Sequence, residues 1–552
     1  MTPGFRFATA TLSMLAVMST ARAGDDKAPA AQNSPAAPVS KDPKAPHVLV
    51  TISKETTYIT EPLRKDGYVD YVATLNERAS KGVTPENNAA VLFWKAVGPG
   101  PIEPKFREEF FKRLGIPAPP DSGDYFIPFE KYVAAEKNAI HADGAGLKER
   151  EILKSTEFMD SGSRPWSKNE FPVLARWLAA NEKPLAILSD ASNRPRRFDP
   201  MIAKGDTCLI AVLLPAAQQY REVARALLRR AMLRISEDRI EAAEDDLLAV
   251  HRLARLTGQG ATIIDGLVAL TIEGMACGGD EAILRHGRIS AASARKMQRD
   301  LALLPSLPKM VDKIDAGERF SFLDSVSLVA RNGFDSLTQL TGGPARKNDA
   351  QKKLDMALAA NIDWDIVLRM GNSWYDRGVA AFRKRTFADR ALAFRKIESD
   401  IREMAAKAKD WRALIFQALG SPKEAVSQRI GEIFVALLVP AITAMGNVED
   451  RAVMQFQLTE LGFAMAAYHA DHGEYPANLA ELAPKYVREI AKDVFTDREL
   501  HYKLDGDAYT IYSVGVNGVD DGGKGYIDRT NIEDWDDLSI RVPDSSKEKL
   551  NP

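Results

Sequence analysis

The chain has 552 residues, of which 45% are hydrophobic and 27% are charged, and these values are typical of soluble globular proteins. This composition excludes a fibrous or wholly disordered protein, and the length allows roughly two to four domains. Lysine plus arginine (74) nearly balance aspartate plus glutamate (76), and the net charge is −2. Such a balance excludes the strong positive field that attracts nucleic acids, so we expect no nucleic-acid partner.

The amino terminus has the pattern of a secretory signal peptide over residues 1–23. Arg6 supplies a positive charge, Phe7–Met18 is mostly apolar, and Ala21-Arg22-Ala23 matches the small-x-small cleavage pattern. The alternative is an uncleaved anchor helix, although the apolar stretch is shorter than the roughly 20 residues that span a bilayer. We predict secretion across the inner membrane to the periplasm or envelope, with no transmembrane segment in the mature chain.

A linker and a long helical domain follow this leader. Residues 24–46 are rich in Ala, Pro, Asp, Lys and Ser and contain no aromatic residue, which predicts a disordered linker. Residues 47–425 have mainly the hydrophobic period of α-helices, which predicts a helical domain. The clearest pattern is a helical hairpin over Tyr220–Leu256, broken at Ser236-Glu237-Asp238, where Ser236 is the predicted N-cap of the second helix.

This hairpin also places small residues where its two helices should cross, such as Ala231 and Ala243. It resembles the helical hairpins of tetratricopeptide-type repeats, which have about 34 residues per helix pair. The resemblance implies an array of hairpins with a concave surface for a protein partner, which the sequence does not identify. The residues alone leave open an ordinary helical domain without a groove.

The chain contains two cysteines, Cys208 and Cys277, each in apolar surroundings. Two cysteines exclude a disulfide framework and a zinc site with four thiolates. An exported chain meets an oxidising compartment, so a bond between the two is one reading. Two buried, unreactive thiols are the other reading.

Residues 426–545 are predicted to form an α+β module, and residues 546–552 a short tail. The longest mainly apolar run, Ile433–Met445, contains a proline and predicts a buried or interfacial helix. A long amphipathic helix should end at His472-Gly473, where glycine can adopt the left-handed cap. Its apolar face has residues at helical spacing: Leu458, Leu461, Met465 and Tyr468.

The hydrophobic period then changes from that of a helix to that of strands. Leu500–Leu504 and Tyr509–Val514 flank the turn Asp505-Gly506 and predict a β-hairpin, and Leu538–Val542 predicts a last strand. Asn478 is expected to begin a short helix between the long helix and the hairpin. The predicted fold class is therefore mainly α, built of helical hairpins, followed by a carboxyl-terminal α+β module in which a long helix packs on a small antiparallel sheet.

A series of segments in the last hundred residues keeps a characteristic order and spacing: Ala466-Ala467-Tyr468, His472-Gly473-Glu474-Tyr475-Pro476, Leu479 with Leu482, Asp493-Val494-Phe495, Tyr502, Tyr512-Ser513-Val514-Gly515, Asn517-Gly518, and Asp536-Asp537-Leu538. This series resembles the periplasmic domain of the major pseudopilins of type II secretion. The resemblance implies a long helix on a small antiparallel sheet, with calcium held in the loop before the final strand.

The chain departs from that family at several points. Val494 stands where the family usually has proline, and Trp535 stands where it often has the first acid of an Asp-x-Asp pair. The family's prepilin peptidase site and amino-terminal membrane helix are missing from the start of this chain. We therefore do not expect filament assembly by the family's route.

The segment from Asp520 to Asp537, which we call the acidic loop, independently suggests a calcium site. It contains seven acidic residues against two basic ones, together with three glycines that let the backbone turn its carbonyls inward. Hard cations such as calcium are bound by six to eight oxygen ligands. We predict Asp536 and Asp537 as the first ligands and Asp520 and Asp521 as the next, and the alternative is a mobile acidic loop without metal.

No catalytic motif stands out in the sequence. His469 and His472 are spaced to chelate zinc from a helix end, but the sequence indicates no third ligand. The chain has no HExxH, G-x-S-x-G or P-loop motif. The expected function is a non-catalytic, exported envelope interaction or scaffold protein with a calcium-stabilised module. The alternative is a periplasmic hydrolase whose active site lies in the helical domain.

Overall fold

The computed structural model describes residues 48–140, 158, 160–203, 208–211, 215–286, 289–336, 349–407, 422–439, 441–525, 528 and 534–543. The predicted signal peptide, the predicted linker and the predicted tail lie outside these residues. The order of elements confirms the predicted fold class, because a long series of helices precedes a helix packed on a three-stranded antiparallel sheet.

The helices fall into an amino-terminal, a central and a carboxyl-terminal group. The first group comprises α1 (Tyr71–Ser80), α2 (Ala89–Val97), α3 (Pro104–Leu114), α4 (Phe129–Ile140), α5 (Pro172–Ala180) and α6 (Glu182–Ser192). The second comprises α7 (Pro215–Ser236), α8 (Ile240–Thr257), α9 (Ile263–His286), α10 (Ala291–Ala302) and α11 (Arg319–Asn332). The third comprises α12 (Asp349–Ala360), α13 (Trp364–Phe382), α14 (Phe387–Lys407), α15 (Lys423–Leu438) and α16 (Ala441–His472).

Further short helical turns lie within the described part of the chain. They are two 3-10 turns, at Leu209–Ala211 and Leu479–Leu482, and a stretch before α11 that contains one α-turn and a π-helix, at Met310–Asp312 and Lys313–Glu318. Asn478 and Glu481 form a capping box around the second 3-10 turn. This confirms the short helix that the sequence predicts after Asn478.

The predicted hairpin is confirmed as α7 and α8, which pack against each other, and α9 packs against both. At Gly279 of α9 a β-carbon would overlap the side chains of Leu228 and Leu247, so the absence of a side chain permits this close approach. The predicted N-cap at Ser236 is wrong. Ser236 is the last residue of α7, and its hydroxyl donates to the carbonyls of Leu233 (2.8 Å) and Trp166 (2.6 Å), which leaves α8 without a side-chain cap.

The apolar run at Ile433–Met445 divides between the end of α15 and the start of α16. The long helix α16 ends at His472, as predicted, and Gly473 has the left-handed φ of +78° that caps it. None of the helices within the described ranges combines the length and the apolar character needed to span a bilayer.

The sheet has the order β1-β2-β3, and both pairs are antiparallel. Its strands are β1 (His501–Asp505), β2 (Ala508–Ser513) and β3 (Leu538–Val542). The helix α16 packs against β2 and β3 on one side and against α9 and α10 on another. At Gly462 of α16 a β-carbon would overlap both Ile540 of β3 and Leu284 of α9. The sheet, the long helix and the helical body therefore share one hydrophobic cluster.

Candidate metal centre

The connection between β2 and β3 folds back on itself through glycines in the left-handed conformation. Gly515, Gly518, Gly522 and Gly523 have φ values of +67°, +69°, +76° and +88°, which residues with a β-carbon rarely adopt. These turns bring the two ends of the acidic loop together. As a result, Asp521 lies beside Asp536 and Asp537, the residues just before β3.

Three carboxylates meet in this connection. Asp521, Asp536 and Asp537 each have an oxygen atom, and all three atoms lie within 4.8 Å of one another. Asp536 and Asp537 directly precede β3, so the hydrogen bonds of that strand to β2 fix their position. Asp521 arrives from the opposite side, after the turn that begins at Gly515. The site is therefore built from two segments that are 15 residues apart in sequence, and the backbone N–H of Asp536 donates to the carboxylate of Asp521 across them.

Asp537 is the most enclosed of the three, with 3% of its surface exposed. Its Oδ2 atom accepts the backbone N–H groups of Asp521 (3.1 Å) and Gly523 (2.8 Å). Its Oδ1 atom is buried and has no hydrogen-bond partner among the described residues. Burial and, less strongly, the nearby charge of Asp521 raise the pKa of Asp537 to about 6.

Asp536 has a similar arrangement. Its Oδ2 atom accepts the backbone N–H groups of Val516 (3.1 Å) and Asn517 (3.3 Å) and lies 3.4 Å from the guanidinium of Arg451 on α16. Its Oδ1 atom, like that of Asp537, is buried without a partner in the described part of the chain. A buried carboxylate oxygen that makes no hydrogen bond costs stability, so two such oxygens on adjacent residues need a physical explanation.

Asp521 and Asp520, although adjacent in sequence, have different surroundings. An Asp521 carboxylate oxygen accepts the backbone N–H of Asp536 (3.3 Å), which places it in the group. Asp520 accepts the backbone N–H of Gly522 (2.9 Å) and lies near His501 (3.6 Å). The bond to Gly522 lowers the pKa of Asp520. The structure thus brings together three of the four predicted ligands and places Asp520 outside the group.

This donor set suits a hard divalent cation. All three side chains are carboxylates, and two of them have a buried oxygen that accepts no hydrogen bond from the described residues. Calcium prefers oxygen ligands and accepts irregular geometry, with carbonyls and water completing its shell. Zinc favours nitrogen and sulfur ligands, and this group contains neither. The chemistry of the three side chains therefore fits calcium.

The two histidines considered for zinc have other contacts. His472 stacks on Tyr468, with ring centroids 4.2 Å apart, and its Nε2 atom lies 3.2 Å from the hydroxyl of Tyr486. His469 packs against the ring of Tyr475. Within the described ranges, the three aspartates form the one group of side chains arranged so that they could hold a metal ion.

A second polar group, which sequence analysis did not identify, lies inside the helical body. His251 of α8 is fully buried between two acids of α9, with Nδ1 3.0 Å from Glu273 and Nε2 2.8 Å from Asp280. Arg255 also pairs with Glu273, and its guanidinium lies over the ring of Phe456 of α16. Burial alone would lower the pKa of His251, but the two carboxylates outweigh it and raise that pKa to about 9. This group joins α8, α9 and α16.

Cys277 lies within the same group and is not reactive. Its thiol hydrogen-bonds to the side chain of Thr459, and burial, together with the acids at Glu273 and Asp280, raises its pKa well above the ordinary value. Cys208 is also buried, and the two cysteines do not form a disulfide with each other. The hypothesis of a disulfide between them is therefore wrong, and the prediction of two buried thiols is confirmed. Their inaccessibility excludes either thiol, in this conformation, from acting as a nucleophile.

The helical body also has a polar cleft of about 530 Å³ beside the start of α1. Asp324 of α11 lies at this cleft and is 3% exposed, with Oδ2 accepting the backbone N–H of Leu209 (2.7 Å). Burial raises the pKa of Asp324 to about 6. Asp70 also lines the cleft, and Arg64 and Lys65 do so from the preceding turn. The cleft therefore contains charged groups of both signs, including one acid whose pKa is raised by burial.

Comparisons with protein-family models, with curated proteins and with solved structures found no match.

Proposed function

We propose that this chain is an exported, non-catalytic interaction or scaffold protein of the cell envelope, whose carboxyl-terminal α+β module is stabilised by calcium. The observation that carries the proposal is the meeting of the carboxylates of Asp521, Asp536 and Asp537, of which Asp536 and Asp537 each have a buried Oδ1 atom without a hydrogen-bond partner among the described residues. A calcium ion would neutralise the repulsion among these acids and supply the partner that their oxygens lack.

The order of elements in the module supports the resemblance to type II secretion pseudopilins. In both, a long helix precedes a small antiparallel sheet, and acids stand just before the last strand. In this chain, α16 also packs on α9 and α10 of the helical body. We infer that the module serves here as a fixed part of a larger protein and does not act as a filament subunit.

The arrangement of α7, α8 and α9 supports a role in protein binding. These helices pack in succession with close approaches at small residues such as Gly279, as in arrays of helical hairpins. The amino-terminal signal pattern supports export from the cytoplasm. Outside the cytoplasm, free calcium is more abundant than inside it. The proposed partner is another envelope protein.

Isothermal titration of calcium into the chelator-treated mature chain tests the metal site. We expect one calcium ion to bind, and Asp537→Asn to weaken binding by more than about tenfold, because a charged ligand is lost. Asp507→Asn is the matched control, since Asp507 lies exposed in the β1–β2 turn and should leave binding unchanged. Absence of binding to the wild-type chain, or equal binding by Asp537→Asn, would contradict the proposal.

The cleft at Asp324 favours the alternative function, a periplasmic hydrolase. An acid whose pKa is about 6 is suited to general acid–base catalysis near neutral pH. Under this alternative, a chromogenic ester, phosphate monoester or glycoside would be hydrolysed by the wild-type chain and not by Asp324→Asn. Under the preferred function, the wild-type chain and Asp324→Asn give the same background rate with all three substrates.

A further inference from the structure

Arg541, the fourth residue of β3, contacts the acidic loop through its side chain. Its guanidinium forms two hydrogen bonds with Asp528, at 2.9 and 3.0 Å, and a third with the carbonyl of Gly523. The N–H of the same Gly523 donates to Asp537 at 2.8 Å. A continuous chain of hydrogen bonds therefore runs from the candidate metal ligand Asp537 through Gly523 to Arg541.

The backbone of Arg541 contacts the helical body. Its N–H donates to Glu281 of α9 (3.3 Å), and its carbonyl accepts a hydrogen bond from Arg285 of α9 (3.2 Å). Glu281 and Arg285 also pair with each other at 2.6 Å. Thus, in the edge strand β3, the backbone hydrogen-bonding groups of Arg541 are satisfied by two side chains of a helix. Free sheet edges bind other strands readily, and this contact occupies the edge.

We propose that calcium binding at the acidic loop and docking of β3 on α9 are energetically coupled through Arg541, so that calcium holds the module against the helical body. This inference rests on the proposed calcium site. An ion that fixes Asp537 restricts Gly523, and Gly523 with Asp528 restricts the guanidinium of Arg541. The backbone of Arg541 is then held where Glu281 and Arg285 can bind it.

Apolar packing makes the docking cooperative with these polar contacts. Ile540 is fully buried next to Arg541, and it meets Gly462 of α16 and Leu284 of α9 at the same junction. A shift of β3 away from α9 would open this junction as well as break the bonds of Arg541. The sheet and the body therefore dock or separate together, which gives the two-state element that coupling between distant sites requires.

The function that follows is a calcium-dependent clamp. In a calcium-rich compartment the module is held on α9, and the scaffold is rigid. When calcium is removed, the contacts of β3 with α9 weaken, and the outer edge of the sheet becomes available. Because coupling is reciprocal, docking on α9 must in turn raise the affinity of the acidic loop for calcium.

The reciprocity permits a test with substitutions outside the metal loop. In Glu281→Ala the acceptor of the Arg541 N–H is lost, and we expect calcium affinity measured by isothermal titration to fall by about fivefold or more. Glu241→Ala is the matched control, because Glu241 is an exposed acid of α8. The calcium affinity of this variant should equal that of the wild-type chain. Circular dichroism of each variant verifies that it is folded.

Hydrogen–deuterium exchange of the wild-type chain gives a second readout that needs no variant. We expect calcium to slow amide exchange in peptides that cover β3 and the segment of α9 around Glu281. If Glu281→Ala binds calcium with the affinity of the wild-type chain, the clamp is overturned and the calcium site stands. The same holds if the wild-type chain binds calcium but amide exchange in α9 does not change. If the wild-type chain binds no calcium, the proposed function fails first, and the clamp fails with it.

Discussion

Gly515 lies so close to Asp536 that a β-carbon at position 515 would overlap the carbonyl oxygen of Asp536. Gly515 also has a φ of +67°, so two independent constraints exclude a side chain there. This contact sets the path of the chain between the end of β2 and the start of β3. It therefore determines whether the carboxylates of Asp521 and Asp536 meet.

The first prediction concerns this glycine. Gly515→Ala should lower the free energy of unfolding more than Gly518→Ala does. We expect the difference between the two losses to be about 1–3 kcal/mol, because the overlap with Asp536 adds to the backbone strain. Gly518 is the matched control, since it has a similar φ of +69° but no atom within 4 Å of a β-carbon. Denaturant unfolding of both variants in the presence of chelator measures the difference. Equal losses for the two substitutions would show that the close approach does not determine the loop.

The second prediction concerns the buried ion pairs of the α7–α8 hairpin. Asp246 is 2% exposed and binds Arg230 (2.5 Å) and Arg234 (2.6 Å). Asp246→Ala should lower the free energy of unfolding by about 3–5 kcal/mol, because Arg230 is left buried without its partner.

The adjacent residue provides the control for this prediction. Asp245 of the same helix is 69% exposed at its side chain and pairs with Lys296 at 3.3 Å, so Asp245→Ala should cost less than about 1 kcal/mol. Urea unfolding followed by circular dichroism compares the two variants. A loss for Asp246→Ala as small as that for Asp245→Ala would contradict a stabilising role of the buried pair.

The third prediction concerns the dependence of stability on pH. His251 has a pKa of about 9 in the folded protein, above its ordinary value of 6.5. Its proton therefore stabilises the fold fully below pH 6.5, and that contribution is lost as the pH rises through about 9. The charged groups that face it are Glu273 and Asp280 of α9, Arg255 of α8 and Glu460 of α16. We expect the free energy of unfolding to fall by about 3 kcal/mol between pH 6.5 and 9.5.

Chemical denaturation at four pH values in this range, with chelator present throughout, measures the effect. His251→Gln should flatten the profile, whereas His501→Gln should leave it unchanged, because His501 lies on the exposed strand β1. A wild-type profile that is flat or rises toward pH 9.5 would show that His251 is not held as an imidazolium.

Local patterns in the sequence predicted much of the fold. The last strand has the predicted bounds, Leu538–Val542, and the hairpin strands differ from the prediction by one residue at their ends. Both predictions depend on alternation over short segments, which neighbouring residues determine. Ser236 shows the limit of such reasoning, because its hydroxyl bonds to Trp166, about seventy residues away in sequence.

The candidate site was predicted less completely, for physical reasons. Asp520 and Asp521 look equivalent in sequence. In the structure, the backbone N–H of Gly522 donates to Asp520, which lies outside the group of three carboxylates, whereas Asp521 accepts the backbone N–H of Asp536. The group around His251 depends on packing between helices, and Glu273 and Asp280 are two turns apart on the same face of α9. Two acids at this spacing in a mainly apolar helix were the feature of the sequence that could have indicated a buried polar group.

The direct test of the calcium-stabilised module is thermal unfolding of the mature chain in calcium and in chelator, with Asp537→Asn measured alongside. Binding to the folded state alone adds about 2.7 kcal/mol at an ion concentration one hundred times the dissociation constant. The account predicts a higher unfolding temperature in calcium for the wild-type chain and a clearly smaller increase for Asp537→Asn. Wild-type curves that coincide in calcium and in chelator would contradict it.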